Sequence, residues 1–347
     1  IGYILCTLYC SRVADRLGPE FCIRLGAAVI CLNNLCFYFS DNLWFFLAGI
    51  SWGMLGHAFF WPGFQAWIGR NVNRTETALR IGVYSVGWSF GLCAVAPYLG
   101  GIALEIDERL PFLIAAAIAG VTLLLFQILK PTLAEHETHT IRFEEEEIPL
   151  PLRRRYLYSA RAANLMATMS IIGLRIFFPL LAVEWALSES TIGSILSVGG
   201  VTQSVTFLAL IFTQRWHYRF RFLMFGQLIG WAGILSLAVV GTYWMGENPT
   251  DLQKILVAVP ALLSVGLMGG ISFYSSAFYS LFGESEKGKN VAFNEAIIGV
   301  ANVLPLYGGA AAILYFGLMA PYWGGVLIVG LSILYQWFFI RPGLKKQ

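Results

Sequence analysis

Residues 110–129 read LPFLIAAAIAGVTLLLFQIL, a stretch without a charged side chain. Because roughly 20 helical residues cross a bilayer core of about 30 Å, this stretch is long enough to span a membrane. Similar runs recur along the 347 residues, of which 57% are hydrophobic and only 12% charged, whereas about a quarter of the residues of a soluble domain are charged. The sequence therefore predicts a polytopic membrane protein and argues against an enzyme of the soluble type.

The spans are predicted to be helices, because backbone polar groups must be paired inside lipid and the runs lack the alternation of barrel strands. We expect a further apolar helix upstream of Ile1, because five predicted spans precede the long connection at 130–157 and six follow it. Apolar runs bounded by charge, Pro or Gly predict eleven transmembrane helices, at residues 1–11, 21–39, 43–68, 80–104, 110–129, 158–182, 190–212, 221–244, 253–282, 290–316 and 319–340.

Basic residues are distributed unevenly between the connections. Twenty of the 23 Lys and Arg residues fall in every second connection or in the tail, and the other connections hold only Arg109 and Lys254. By the positive-inside rule, the basic connections and the C-terminus are predicted to be cytoplasmic.

One connection, 130–157, is long and carries the acidic block Glu144–Glu147, so we predict a cytoplasmic linker there. It separates an N-terminal bundle, 1–129, from a C-terminal bundle, 158–347. The halves echo each other, because segments 81–101 and 290–309 both end in Pro-x-x-Gly-Gly. Internal repeats are common in secondary transporters, and the predicted fold is all-α, with two pseudo-symmetric helical bundles.

Two motifs carry a resemblance to a known family. The loop SRVADRLGPE, Ser11–Glu20, resembles the loop between helices 2 and 3 of the major facilitator superfamily, G-x-L-A/S-D-R-x-G-R/K-R/K, in its Ala-Asp-Arg-x-Gly core. The segment APYLGG, Ala96–Gly101, is similar to the end of the helix 5 motif in the family's drug exporters and antiporters. The resemblance implies that the visible spans are helices 2 to 12 of twelve, with helices 2 to 6 before the linker and 7 to 12 after it.

The resemblance implies a secondary active transporter that moves a small solute by alternating access, with proton-coupled export as the first interpretation. Uptake or facilitated diffusion of a small polar solute, or a transporter-like receptor without flux, are the alternatives. No P-loop pattern is present, so direct ATP drive is not expected. We expect no cofactor, no metal, no nucleic-acid partner, and a monomer in the cell (plasma or inner) membrane.

The gating candidates come from the two motifs. The resemblance implies that Asp15 meets the cytoplasmic start of the span at Lys289–Asn290; a solvated turn with topogenic charges is the alternative. A hinge or tight interface is predicted near Pro97, because small residues let helices approach closely in lipid; routine helix packing is the alternative. The gating set is Asp15, Arg16, Gly18, Pro97, Gly100 and Gly101.

The candidates for a substrate cavity are polar or aromatic side chains near the middle of spans. Arg175 is the one basic residue far from both ends of its span, and such a guanidinium faces a cavity or snorkels to the interface. Glu295 is a candidate for proton coupling, with a capping or salt-bridge role as the alternative. For His57, Gln203 and Asn302, interhelical hydrogen bonding is the alternative role. The cavity set is His57, Trp61, Gln65, Tyr84, Trp88, Arg175, Gln203 and Asn302.

Overall fold

A computed structural model describes residues 6, 13, 16–68, 74–128, 149–213, 215–244, 249–282 and 287–340, and these residues contain helices but no strand. Eleven α-helices are present in this part of the chain. They are α1 (Pro19–Phe39), α2 (Leu43–Ile68), α3 (Arg74–Trp88), α4 (Ala96–Ile106), α5 (Leu110–Ile128), α6 (Leu150–Glu184), α7 (Glu189–Ile211), α8 (Phe220–Val239), α9 (Asp251–Phe282), α10 (Lys287–Phe316) and α11 (Ala320–Tyr335).

Three π-helical segments extend or join these helices: π1 (Ser89–Val95), π2 (Val240–Trp244) and π3 (Gln336–Ile340). The first connects α3 to α4 without a turn, so one continuous helical span runs over Gly82–Ile106. The third continues α11. Such segments are rare and occur often at functional sites.

Within the described residues, nine helices are long and apolar enough to cross a membrane, each matching one predicted span. The other two predicted spans, 1–11 and 319–340, are not among these nine helices. Of residues 1–11 only Cys6 is described, and the predicted span 319–340 consists of the 16-residue α11 followed by π3. The chain is an integral membrane protein of helical type, while the count of eleven spans and the pseudo-symmetry stay predictions.

The chain divides into two compact units, Ile1–Ile81 with Ile102–Arg142, and Gly82–Gly101 with Phe143–Gln347. The segment Gly82–Gly101 thus groups with the later helices. The predicted boundaries of two bundles at 1–129 and 158–347 follow sequence order and stay a prediction.

In the first unit, glycines of α2 lie against α1. A β-carbon added to Gly26 would lie 2.7 Å from the Gly56 carbonyl oxygen, and one added to Gly63 would lie 2.8 Å from Cβ of Cys22. Small residues of this kind allow the backbones of two helices to approach closely in lipid. The same unit holds an ion pair between Arg109 and Asp41.

The second unit has an apolar core formed by α6, α7, α8, α9 and α11, around the fully buried Phe178, Leu237 and Met268. A second cluster combines Phe207 and Ile271 with aromatic residues near the start of α8 and the end of α9. In that cluster the backbone N–H of Tyr218 donates to the Tyr279 hydroxyl at 2.9 Å.

Four buried polar side chains join α6, α8 and the end of α11. The amides of Gln227 and Gln336 pair reciprocally, at 3.1 and 2.9 Å. Ser159 donates to the Gln336 carbonyl oxygen at 2.7 Å, and Ser332 donates to that of Gln227 at 3.2 Å. Polar groups inside a bilayer must find protein partners, and these four side chains supply them to one another. We call Ser159, Gln227, Ser332 and Gln336 the glutamine network.

Candidate functional site

The span Gly82–Ile106 changes its backbone geometry where the sequence predicts a hinge. Pro97 has no N–H to donate to the Cys93 carbonyl, and its ring disfavours that position of the α-helical ladder. The structure places π1, Ser89–Val95, just before it, and the Ala96 N–H bonds the Gly91 carbonyl in the wider π pattern. The missing N–H of Pro97 and the π-helical segment thus fall in the same part of this span.

This span lies against a face of α7 that carries only small residues. A β-carbon added to Gly200 would overlap the Cys93 carbonyl group and lie 2.5 Å from the Ala94 nitrogen. One added to Gly193 would overlap the Pro97 carbonyl oxygen. At these two glycines the helices therefore touch backbone to backbone.

Two serines of α7 add hydrogen bonds to this contact. The Ser197 hydroxyl lies 2.7 Å from the Ala94 carbonyl oxygen and 2.7 Å from the Gly193 carbonyl of its own helix. The Ser204 hydroxyl lies 3.0 Å from that of Ser89. Sequence reasoning missed this partner face, although small residues recur at helical spacing at Gly193, Ser197, Gly200 and Ser204.

The glycines of this span divide into two groups. A β-carbon on Gly82 would collide with Ile211, and one on Gly101 would lie 2.5 Å from the Glu189 carbonyl oxygen and 3.1 Å from Gly193 Cα. By contrast, Gly87, Gly91 and Gly100 would meet nothing within 4 Å in the described part of the chain. A close approach is thus observed at Gly82 and Gly101, and the open face of Gly100 leaves its gating role a prediction.

Of the predicted cavity residues, the structure brings Trp88 and Gln203 to neighbouring levels of one interface. The Trp88 ring lies 6.0 Å from the Phe207 ring and 5.3 Å from the Phe273 ring, between centroids. Gln203, only 4% exposed, faces α9 at Gly269, whose added β-carbon would lie 3.7 Å from the amide nitrogen. Tyr84, one turn before Trp88, is half-buried.

The other cavity candidates of this unit do not join that interface. Asn302 is exposed on α10, and its amide donates to the Ile298 carbonyl of the same helix at 2.8 Å. Arg175 is half-buried on α6. No ion pair joins Arg175 to Glu184 among those found in the described residues.

The remaining candidates lie in the first unit. His57 and Trp61 are half-buried on α2, where the Trp61 ring meets that of Phe60 at 5.3 Å. The side chain of Gln65 lies outside the described residues.

The gating loop is described in part. Asp15 lies outside the described residues, while Arg16 is exposed. Gly18 has a φ of 86° and precedes Pro19 at the first position of α1, a left-handed conformation that favours glycine. The described part of the motif thus ends in a glycine turn that starts a helix.

Asn294, next to Glu295 on α10, lies in a buried polar environment, although the side chain of Glu295 itself lies outside the described residues. Asn294, 5% exposed, accepts a hydrogen bond from Ser276 at 2.6 Å and one from Asn164 at 3.4 Å. The Arg161 guanidinium, in a side chain only 8% exposed, lies 4.7 Å from the centre of the Phe293 ring. Sequence reasoning counted Arg161 among the loop charges and missed its burial, which depends on how α6 and α10 pack.

Metal binding finds no support in the described residues, which contain no group of three or more His, Cys, Asp or Glu able to hold an ion. The arrangement of α3, π1, α7 and α9 offers aromatic faces, one buried amide and hydroxyl groups. Such groups bind an organic solute by contact and hydrogen bonding.

Comparison with known proteins gives two findings. The family description "Major Facilitator Superfamily" matches residues 1–173. "Multidrug resistance protein 1" of Bacillus subtilis (strain 168) is 24% identical to this chain over 306 residues, which cover 86% of this chain and 75% of the relative.

Proposed function

Because the chain belongs to the major facilitator superfamily and is a secondary transporter rather than an enzyme, we propose that it exports small, largely apolar organic molecules by proton-coupled alternating access. The observation that carries this proposal is the contact of the broken span Gly82–Ile106 with α7. The likeness to a protein named for multidrug resistance supports the direction and the solute class.

The contact with α7 suits a moving part for a physical reason. Interlocked side chains must change rotamer when two helices shift, whereas surfaces made of glycine backbone and serine hydroxyls do not. Pro97 and π1 remove regular α-helical bonds in the middle of the span, and helix bends concentrate at such places. We assign the span around Pro97 and Gly101 as the hinge of the transporter, with Asp15, Arg16 and Gly18 as the second gating element.

The proposed solute class follows from the residues around Trp88. Its ring, together with Phe207 and Phe273, presents aromatic surface, and Gln203 supplies one buried amide. Ligand sites of this type bury apolar surface and use few polar groups for orientation. We therefore propose that Tyr84, Trp88 and Gln203 contact a neutral or weakly polar aromatic solute, with His57, Trp61, Gln65, Arg175 and Asn302 as further candidates.

We assign Glu295 as the carboxylate that couples export to protons. Ionisable residues inside membrane spans are expensive and mark ion or proton pathways. Its neighbours along α10 pack against the buried Arg161 and Asn164, so this level of the second unit already accommodates charge and hydrogen bonding.

Transport by purified protein in liposomes tests the proposal. With an acidic lumen, proton antiport drives a fluorescent aromatic dye into the vesicles, and a protonophore abolishes this accumulation. Trp88→Ala should lower the initial rate at least several-fold, while Phe225→Ala, at an exposed aromatic residue of α8, should not. Flux without dependence on the gradient, or binding without flux, would overturn proton-coupled export.

The role of Glu295 has its own test. Glu295→Gln should abolish gradient-driven accumulation but retain exchange of labelled for unlabelled dye. Glu189→Gln, at an exposed residue at the start of α7, is the matched control. Full accumulation by the Glu295→Gln variant would remove this residue from the coupling mechanism.

A further inference from the structure

A cavity in the second unit lies between α6, α10 and α11, and none of its lining residues belongs to the interface around Trp88. Its volume is about 230 Å³. The lining is almost entirely apolar and includes Met169, Leu174, Leu304 and Ile328. Apolar cavities of about 150 Å³ bind benzene, so this one has room for a larger molecule.

The cavity remains open because glycines line it. Added β-carbons on Gly308 and Gly324 would meet nothing within 4 Å among the described residues. Both glycines line the cavity, and because Gly308 and Leu304 are exposed, the cavity is open on the α10 side.

One polar group of the cavity wall lacks a partner. Tyr322 is 3% exposed, and its hydroxyl makes no hydrogen bond with the described part of the chain. Two other polar aromatic groups nearby are paired: the Trp323 indole donates to Thr242 at 3.1 Å and the Trp231 indole to the Val326 carbonyl at 2.9 Å. A buried hydroxyl left without a partner costs about 1–3 kcal/mol.

The other hydroxyl of the lining is already used. Ser170 donates to the Met166 carbonyl of its own helix at 2.9 Å, so the Tyr322 hydroxyl is the donor that remains. We propose that this cavity is a binding site for a small, mainly apolar organic molecule that carries one hydrogen-bond acceptor, which receives the Tyr322 hydroxyl. The site is independent of the direction and the coupling of transport.

Photo-crosslinking of the purified full chain with benzophenone tests the proposal, because benzophenone consists of two apolar rings and a single carbonyl acceptor. The expected result is labelling of peptides from α6, α10 and α11 that line the cavity. Labelling confined to other segments would overturn the site.

Two variants test the two features of the site separately. Tyr322→Phe keeps the ring and removes the donor, so labelling at low benzophenone should fall about two- to tenfold, the factor of one net hydrogen bond. Tyr307→Phe, at a residue of α10 that is 69% exposed, is the matched control. Unchanged labelling of Tyr322→Phe would mean that water already satisfies the hydroxyl and would overturn the assigned acceptor.

Gly324→Leu should fill the cavity and abolish labelling, whatever the acceptor. Its thermal unfolding should stay cooperative and near that of the wild type. If this variant does not fold, Gly324→Ala should lower labelling in part, since its β-carbon enters the same free space. Full labelling of a folded Gly324→Leu or Gly324→Ala variant would overturn the cavity as the binding site.

Discussion

Two segments of this protein share the pattern Pro-x-x-Gly-Gly, and the structure uses them differently. In both, the first glycine, Gly100 or Gly308, would have free space around an added β-carbon among the described residues. In both, the second glycine is the contact residue. Gly101 meets the backbone of α7 at Glu189 and Gly193, whereas Gly309 meets the ring of Phe177 on α6.

The difference decides how each contact responds to change. A backbone cannot move aside without moving its helix, but a phenylalanine ring can rotate or be shortened. The span before Pro97 is also π-helical, whereas α10 continues through Pro305 as an α-helix. The same short pattern therefore produces a backbone contact in one place and an adjustable side-chain contact in the other.

The largest effect is expected at Gly200, the α7 residue closest to the first segment. Gly200→Ala places a β-carbon on the Cys93 carbonyl group, and overpacking of this kind costs about 1–3 kcal/mol. The thermal unfolding midpoint in detergent should fall by several degrees, and dye flux should fall with it. Gly91→Ala, whose β-carbon meets nothing within 4 Å in the described residues, is the control. An unchanged unfolding midpoint for Gly200→Ala would contradict the backbone contact between the two helices.

The next effect separates the two segments directly. Gly101→Ala should lower the unfolding midpoint more than Gly309→Ala, because only the first forces two backbones apart. Combining Gly309→Ala with Phe177→Leu should restore part of the loss, measured as a coupling free energy in a double-mutant cycle. A simple sum of the two single effects would show that the ring of Phe177 is not what Gly309 accommodates.

A smaller effect is expected at Ser204. Ser204→Ala removes the hydrogen bond to Ser89, and interhelical hydrogen bonds in membrane proteins average about 0.6 kcal/mol. The unfolding midpoint should shift by a degree or two. Thr202→Ala, where the hydroxyl bonds its own helix at Val198, is the comparison. A larger fall in the unfolding midpoint for Thr202→Ala than for Ser204→Ala would contradict a stabilising role of the hydrogen bond between Ser204 and Ser89.

The smallest effects are expected at the two open glycines. Gly100→Ala and Gly308→Ala should leave the unfolding midpoint unchanged or raise it slightly, because alanine favours the helix by up to about 1 kcal/mol. Dye flux distinguishes the two positions. If Gly100→Ala lowers flux without lowering stability, its open face is used in another state of the transport cycle; equal flux confines the hinge to Gly101 and Pro97.

The positions of the spans could be predicted because hydrophobic length is a property of the sequence itself. Which residues of the Gly82–Ile106 span face α7 could not be predicted in this way. Eighteen residues separate Gly82 from Gly100, which is about five turns of a regular α-helix, so regular geometry would place these two on one face. The π-helical segment inserts extra residues into the turns, and Gly101 reaches the contact instead.

The partners across interfaces were also beyond sequence reasoning. Trp88 and Gln203 were predicted near mid-depth, but their meeting with Phe207, Phe273 and Gly269 depends on which helices are neighbours. The burial of Arg161 has the same cause. Side-chain type and spacing identify polar groups inside spans, whereas their pairing depends on tertiary packing.

The glutamine network constrains the order in which this protein is built. Chain synthesis delivers Ser159 and Gln227 to the membrane before Gln336, which supplies their shared partner in π3. Until α11 and π3 are in place, the Gln227 amide lacks these hydrogen-bond partners in the bilayer, at a cost of roughly several kcal/mol. Truncation of the chain before Ser332 would therefore leave the Gln227 amide without both of these partners.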